Sequence, residues 1–534
     1  MNSTRAPLAD EASVLILALA GFLMTGLFAR AQGVQHLSIT QPGGMPGMPV
    51  TTGIERVTNG FKVTWDGPSG YYQLYQKLGI NDPRWQPVGG PNLTRSATVP
   101  AISSNAFFRV SGPSPQYAGA LSCRECHGNI YATEANTRHP HALDTLKLIH
   151  QEQNPACLPC HTVGYGLPSG FVSETATPQL AGVQCENCHG PAGNHAANEN
   201  DPIVRPRVEL AATVCGGCHS GPQVPTYDEW TTSGHAAVVP DALAVMNSST
   251  NSLSGCGRCH SGSVRVSLLK KEPLPVGDAN VPIVCAVCHD PHQTNGYPAQ
   301  LRNPVASTNN YYLTTSTNFA SAYRTNINIC GQCHNHRGAA WTDTDSPPHR
   351  SPQYNMLLGN VGELASGAPP SQPGSHALWI TNQCVGCHMQ TKPFQSESQP
   401  ANTGHSFGVD TYDFCRGCHP LPEELTQFTM TSISNQIQQV KLDLDFWASV
   451  KAPMQLWTNY GVRSWEYTTP GELSPGGPGP NTTEQLDLIP VNIRRARFNL
   501  YLLLYDGSYG VHNVLYGVTL LETARGWIQA ELSK

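Results

Sequence analysis

Gly182-Val183-Gln184-Cys185-Glu186-Asn187-Cys188-His189-Gly190-Pro191 holds two cysteines three positions apart and a histidine directly after the second. The same Cys-x-x-Cys-His pentapeptide occurs nine times in the 534 residues and accounts for all 18 cysteines. Its copies are Cys123/Cys126/His127, Cys157/Cys160/His161, Cys185/Cys188/His189, Cys215/Cys218/His219, Cys256/Cys259/His260, Cys285/Cys288/His289, Cys330/Cys333/His334, Cys384/Cys387/His388 and Cys415/Cys418/His419. Two thiols at this spacing can each add to one vinyl group of a haem, and the adjacent histidine then reaches the iron as its proximal ligand. Zinc also uses Cys-x-x-Cys pairs but has no need of a histidine after the second cysteine. A disulfide framework has no use for the histidine either. Histidine stands at only 21 of 534 positions, so nine adjacent histidines do not arise by chance. The sequence predicts nine covalently bound c-type haems.

Working outward, the composition shows why such a chain needs haem. Charged residues are 13% and apolar residues 39%, while Gly (50) and Pro (44) are abundant. These proportions fall below the globular norm for both charge and hydrophobicity. Nine flat apolar macrocycles over residues 118–420, roughly one per 33 residues, supply core that side chains do not. The crosslinks also restrain a loop-rich backbone. The net charge of −6 excludes a nucleic-acid binder that works by bulk positive charge. Nine ferric haems with ionised propionates would take it to roughly −15, which predicts redox partners with basic docking faces. Aromatics and cysteines spread along the chain exclude intrinsic disorder.

Four segments follow. Residues 1–31 are expected to be a signal peptide: Ala12 to Phe28 is apolar, and Ala29-Arg30-Ala31 gives the small-x-small cleavage pattern before Gln32. Asp10 and Glu11 weaken the charge pattern, so a retained anchor is the competing reading. The mature protein is then expected to be periplasmic or extracellular, with no later membrane span. Residues 33–115 lack cysteine and alternate apolar with polar residues in Phe61–Asp66 and Tyr71–Tyr75, the period of half-buried strands. Residues 118–420 carry the nine motifs, whose starts lie 28 to 54 residues apart. Residues 421–534 change texture: Ile433, Ile437, Val440, Leu444 and Trp447 step as an amphipathic helix, with further helical segments near Leu486–Leu504 and His512–Leu532. The expected fold is therefore mostly α and irregular, a haem-packed domain with a small N-terminal β-sandwich and a C-terminal helical segment.

Residues 33–115, through a loose pattern of Trp65, Tyr72-x-Leu74, Trp85 and Phe107-Phe108-Arg109-Val110, resemble a fibronectin type III-like module. The haem region resembles the tetrahaem cytochrome c family of nitrifying bacteria and its octahaem relatives, the hydroxylamine oxidoreductase-like and tetrathionate reductase-like proteins. The residues that carry this are Cys157-Leu-Pro-Cys160-His161-Thr-Val-Gly164-Tyr165-Gly166, the Gly182–Pro191 stretch with His195 after it, and His139-Pro-His141-Ala142-Leu-Asp-Thr-Leu146. Cys288-His289-Asp290-Pro291-His292, Ser233-Gly-His235, Gly404-His405 and Val511-His512-Asn513 fit the same style more loosely. The resemblance implies that His139, His195, His235, His292, His349, His376 and His405 are distal ligands, with His512 joining them. The ninth comes from His141, His150 or His336. His36 reads as a solvated residue. His195 follows its motif in Gly190-Pro191-Ala192-Gly193-Asn194, read as a loop that forms no helix. None of the nine motifs is Cys-x-x-Cys-Lys, the variant that marks the lysine-ligated catalytic haem of some relatives.

Electron transfer along mostly bis-His haems is the leading expectation, because two axial nitrogens leave no coordination site for substrate. Ten histidines besides His512 stand within the haem region to serve nine irons. One alternative is a multihaem oxidoreductase acting on a small nitrogen or sulfur oxyanion at one open haem, with the second motif as the candidate. Another is a subunit of a conductive extracellular filament.

Overall fold

The computed structural model describes residues 16–17 and the strands and turns between 50 and 112, apart from 58–59, 67–71, 78–85, 93 and 101–106. It further describes residues 116–534, apart from 202–203, 207, 209, 294–297, 303–327, 369–372, 381 and 475. The chain is helix-rich with small sheets and forms two compact units. The first comprises residues 1–220 and 289–300, and the second residues 221–288 and 301–534. Apart from Ile16–Leu17, the expected signal segment lies outside the described residues, as does His36.

In the first unit, β1 (Ile16–Leu17), β7 (Phe107–Ser111), β4 (Tyr72–Lys77) and β5 (Gln86–Asn92) form one antiparallel sheet in that order. β2 (Val50–Val57), β3 (Gly60–Asp66) and β6 (Ser96–Pro100) form another. The period-2 alternation places Val63 and Trp65 of β3 and Tyr72 and Leu74 of β4 inward, where Val99 and Phe108 join them in one core. Beyond residue 116 the described residues of this unit form short helices, packed around Leu143, Leu146, Leu158, Val163, Phe171 and Leu180. Gly182 has φ +81°, and a Cβ there would stand 2.1 Å from the Pro140 carbonyl oxygen. Only glycine permits that approach, and it lets the Val183 N–H reach the His139 carbonyl at 2.9 Å.

The second unit has the conventional apolar core. Ile433, Ile437, Val440, Leu444 and Trp447 are all buried along the helix Pro422–Lys451, as their spacing predicts. They pack with the helices Val491–Asp506 and Val514–Leu532. Arg497 is fully buried inside this core. Its guanidinium donates to the Trp465 and Glu466 carbonyls at 2.9 and 2.6 Å and lies 4.0 Å over the Tyr467 ring. The Glu466 carboxylate accepts from the Tyr501 hydroxyl and, at 3.1 Å, from the Tyr467 N–H. Asn499 exchanges hydrogen bonds with the Glu363 backbone at 2.8 and 2.9 Å, fixing the C-terminal helices to the chain between the seventh and eighth motifs. Among the described residues, no helix is long and apolar enough to cross a membrane.

Candidate haem-binding site

Each motif sits on or at a short helical turn, as in Leu158–His161, Cys185–His189 and Cys384–His388. One helical turn brings positions i, i+3 and i+4 to the same face, which is where two thiols and an imidazole must stand to grip one ring. The backbone closes that turn directly: His127, His219, His334 and His419 each donate an N–H to the carbonyl of their own first cysteine at 2.8–2.9 Å. None of the 18 cysteines forms a disulfide.

Motifs far apart in sequence share their cysteine environments. In the first unit Cys123 lies within hydrogen-bonding reach of Cys185, and Cys160 of Cys218. Cys188 also acts electrostatically on Cys218. In the second unit Cys259 reaches Cys333 and Cys330 reaches Cys384. Cys288 is close to Cys330, and Cys415 to Cys387.

Cys126 and Cys418 are exposed, whereas the other cysteines are half-buried. They are the second cysteines of the first and ninth motifs, the two ends of the series. In each of these motifs the first cysteine turns toward another motif, Cys123 toward Cys185 and Cys415 toward Cys387. Cys126 Sγ meets the exposed Glu199 carboxylate at 3.8 Å rather than a further motif.

Six motif histidines face a second imidazole. In the first unit the ring centres of His219 and His139 are 6.2 Å apart, and those of His189 and His292 are 5.9 Å apart. In the second unit the pairs are His334 with His235 at 6.2 Å and His260 with His349 at 5.8 Å. His419 with His376 at 6.1 Å and His388 with His512 at 6.3 Å complete the set. The angle between the rings runs from 10° to 86°, yet the spacing stays within 5.8–6.3 Å. Rings in direct contact change their separation with their tilt, since stacked and edge-on pairs pack differently. A spacing indifferent to tilt is what an atom between the rings would impose. Two metal–imidazole bonds of about 2 Å, each with a ring centre about 1 Å beyond, give roughly 6 Å. The pairs therefore fit a haem iron.

Hydrogen bonds fix the tautomers. Nδ1 of His161 faces the Ala142 carbonyl at 2.7 Å, that of His289 the Ala299 carbonyl at 2.6 Å, and that of His388 the Phe407 carbonyl at 3.0 Å. Nδ1 of His376 faces the Val511 carbonyl and that of His405 the Thr403 carbonyl, both at 3.0 Å. A carbonyl only accepts, so each of these Nδ1 atoms carries the proton and leaves the Nε2 lone pair for a metal. Burial also holds His139, His260, His376 and His388 below the usual imidazole range, and takes His235 down to about 4. These rings are neutral, as ligands must be. His512 differs. Burial alone would lower it, but the Asp506 carboxylate at 2.7 Å outweighs burial and raises it.

The remaining candidates stand differently. His195 lies on a single helical turn, Gly193–Ala197, where the sequence reading had a loop. Pro191 precedes the turn, Gly193 N–H is anchored on the Gln116 carbonyl at 2.7 Å, and Ala196 and Ala197 favour helix. The Nδ1 of His195 is buried with no hydrogen-bond partner. His405 is held by its backbone N–H on Glu229 at 2.8 Å. His141 is exposed beside Asp144 at 3.6 Å, His150 is exposed, and the buried His336 faces Asn355 Oδ1 at 3.1 Å. Among the described residues, His127 and His161 belong to none of the ring pairs.

Sequence reasoning passed over the residues that orient these groups. Glu186, inside the third motif, accepts the N–H groups of Ala118, Gly119 and Ala192 and so ties the first motif's turn to the third. Glu229 holds residues 403–405, and Asp506 holds His512. A carboxylate within Cys-x-x-Cys was the one visible sign of the first. Nothing local marked the other two.

Repeated cysteine pairs, each followed by an imidazole, define a multihaem c-type cytochrome, and the sequence comparisons agree. The family described as "Cytochrome c554 and c-prime" matches residues 122–190. Cytochrome c-554 of Nitrosomonas europaea is 31% identical over 153 residues, covering 22% of this chain and 65% of that protein. The multiheme cytochrome MtrA of Shewanella baltica is 27% identical over 157 residues, covering 26% of this chain and 45% of that protein. The chain thus spans under two thirds of either relative's length. The crystal structure of the outer cell wall cytochrome OcwA aligns with 77% of this chain and 100% of its own, at 19% identity and a TM-score of 0.49. The chain is a multihaem cytochrome c that resembles the tetrahaem cytochromes of nitrifying bacteria.

Proposed function

We propose that this protein is an exported nonahaem cytochrome that passes electrons along a chain of mostly bis-His haems. The observation that carries the reading is the set of six imidazole pairs, whose spacing stays at 5.8–6.3 Å whatever their tilt. His127, His161, His189, His219, His260, His289, His334, His388 and His419 are the proximal ligands. His139, His292, His235, His349, His376 and His512 face six of them as distal ligands, and His195 and His405 remain candidates for others. Bound haem supplies reversible one-electron chemistry at iron. Two nitrogen ligands keep the coordination the same in both redox states, so little rearrangement opposes transfer.

Cysteine neighbours support an order of the attachment sites. In the first unit the sequence of contacts runs from motif 1 to 3, then 4, then 2. In the second it runs from 5 to 7, then 8, then 9, with the cysteines of motif 6 also beside 7. Such contiguity within each unit is what a conductor needs. The exposed thiols Cys126 and Cys418 lie at the motif 1 and motif 9 ends of these two series, where a thioether would bring a haem edge to the surface and within reach of a partner. The N-terminal strands are read as a fibronectin type III-like module, and the redox partners as proteins with basic faces.

The test combines a pyridine haemochrome assay against protein mass with EPR of the oxidised protein. Nine haems per chain with at least six low-spin are expected. Seven or fewer haems, or zinc in the metal analysis, overturns the attachment reading. A majority of high-spin haems that bind nitric oxide overturns electron transfer in favour of catalysis at open iron.

A further inference from the structure

Asp506 is buried, with its side chain 1% exposed, at the end of the helix Val491–Asp506. Its Oδ1 accepts the Nδ1–H of His512 at 2.7 Å, and its Oδ2 accepts from the Ser508 hydroxyl. The loop that follows orients neighbouring ligands too. The Val511 carbonyl accepts from His376, which faces His419 of the ninth motif. Gln353 donates to the Asp506 carbonyl at 3.2 Å and presents Oε1 at 3.4 Å to Nδ1 of His334 in the seventh motif. One short stretch thus touches ligands at motifs 7, 8 and 9. The acceptors differ in charge: His376 and His334 meet neutral oxygens, and His512 meets a carboxylate.

We infer that Asp506 is a positioning residue that lowers the reduction potential of the haem at the eighth motif relative to its neighbours at motifs 7 and 9. A carboxylate on Nδ1–H draws the proton toward itself and gives the imidazole anionic character. That makes Nε2 a stronger donor and favours ferric over ferrous iron. A fixed negative charge close to the iron acts in the same direction, and burial leaves it little screened. Electrons passing from the seventh site to the ninth then meet a higher-energy site in the middle, which makes this the point where flow along the second unit is regulated. The inference rests on the reading of His388 and His512 as the two ligands of one iron.

Asp506→Asn keeps an oxygen acceptor of the same shape and removes the charge. In the full-length holoprotein, a spectroelectrochemical titration should show one component shifted upward. A tenfold change in the ferric/ferrous equilibrium, or about 59 mV, is expected, with the low-spin count by EPR unchanged. His512→Ala in parallel should turn one low-spin haem high-spin and so identify the component. Ser508→Ala is a second probe should Asp506→Asn fail to accumulate: without the hydroxyl the carboxylate is a stronger acceptor, and the same component moves downward. Superimposable titrations for these variants, with His512→Ala having lost one low-spin haem, overturn the role of Asp506 and leave the ligation reading standing. An unchanged low-spin count in His512→Ala overturns the ligation reading itself. Loss of a low-spin haem in Asp506→Asn shows that the residue only holds the ring in place, and the inference fails.

Discussion

Glu186→Gln is the most informative single substitution in the first unit. The native side chain is 1% exposed. It accepts from Gly119 at 2.8 Å, from Ala192 at 2.7 Å, and from Ala118, whose N–H lies 3.1 and 3.2 Å from the two oxygens. Gln offers one oxygen and turns an NH2 donor toward donors, so at least one of the three backbone N–H groups loses its partner. A buried N–H without an acceptor costs about 1–3 kcal/mol, and the bonds that survive lose their charge assistance. Part of this is offset, because burial raises the native carboxyl above its usual range and the amide avoids that penalty. The net expectation is about 2–4 kcal/mol, felt locally at the turn carrying Cys123 and at the turn carrying His195. Covalent haems and two units rule out simple two-state unfolding, so amide hydrogen exchange by mass spectrometry is the appropriate assay. Peptides covering 116–120 and 190–197 should exchange roughly 30- to 700-fold faster in the holoprotein, at tenfold per 1.4 kcal/mol. Protection within threefold of wild type in both peptides would refute the claim that this carboxylate ties the first and third motifs together.

Three further outcomes are expected. His235→Ala should leave the covalent haem count unchanged and convert one low-spin haem to high-spin by EPR, because His235 faces His334 at 6.2 Å; an unchanged spin count would remove that pair. Arg497→Met should destabilise the C-terminal helices by about 2–4 kcal/mol, since it leaves the Trp465 and Glu466 carbonyls in a buried site without their donor. Protease susceptibility of residues 461–534 reports this, and wild-type resistance would show that the cation is dispensable. Burial raises Glu134 to about 6 from 4.5, so the folded state binds its proton more tightly than the unfolded state. Its contribution is fully present below about pH 4.5 and is lost as pH rises through about 6. Thermal unfolding between pH 4 and 7 should show this decline in the wild type and a smaller one in Glu134→Gln.

What the sequence discloses here follows from the range of each interaction. Haem attachment is written within five residues, because two thiols and an imidazole on one helical turn are a local geometry. How deep each turn lies is not written there: Cys126 and Cys418 carry the same pentapeptide as the rest and still face outward. The helix Pro422–Lys451 is equally legible, since the 3.6-residue period of Ile433, Ile437, Val440, Leu444 and Trp447 records the face it buries. The proposed distal ligation is less local. His219 meets His139, which precedes it, while His189 meets His292, which follows in sequence beyond three further motifs. No spacing rule yields both pairings, so resemblance could nominate His139 and His292 but could not say which iron each would serve. The cysteine neighbours follow the same logic, with motif 1 beside 3 and 2 beside 4. Where haem stands in for core, chain segments are positioned by the rings they clasp rather than by their own apolar periodicity. The fold is then set by which loop returns to the far side of each ring. The carboxylates that aim those loops, Glu186, Glu229 and Asp506, act across 60 residues or more or at a helix end, and their significance exists only once the chain has closed around the haems.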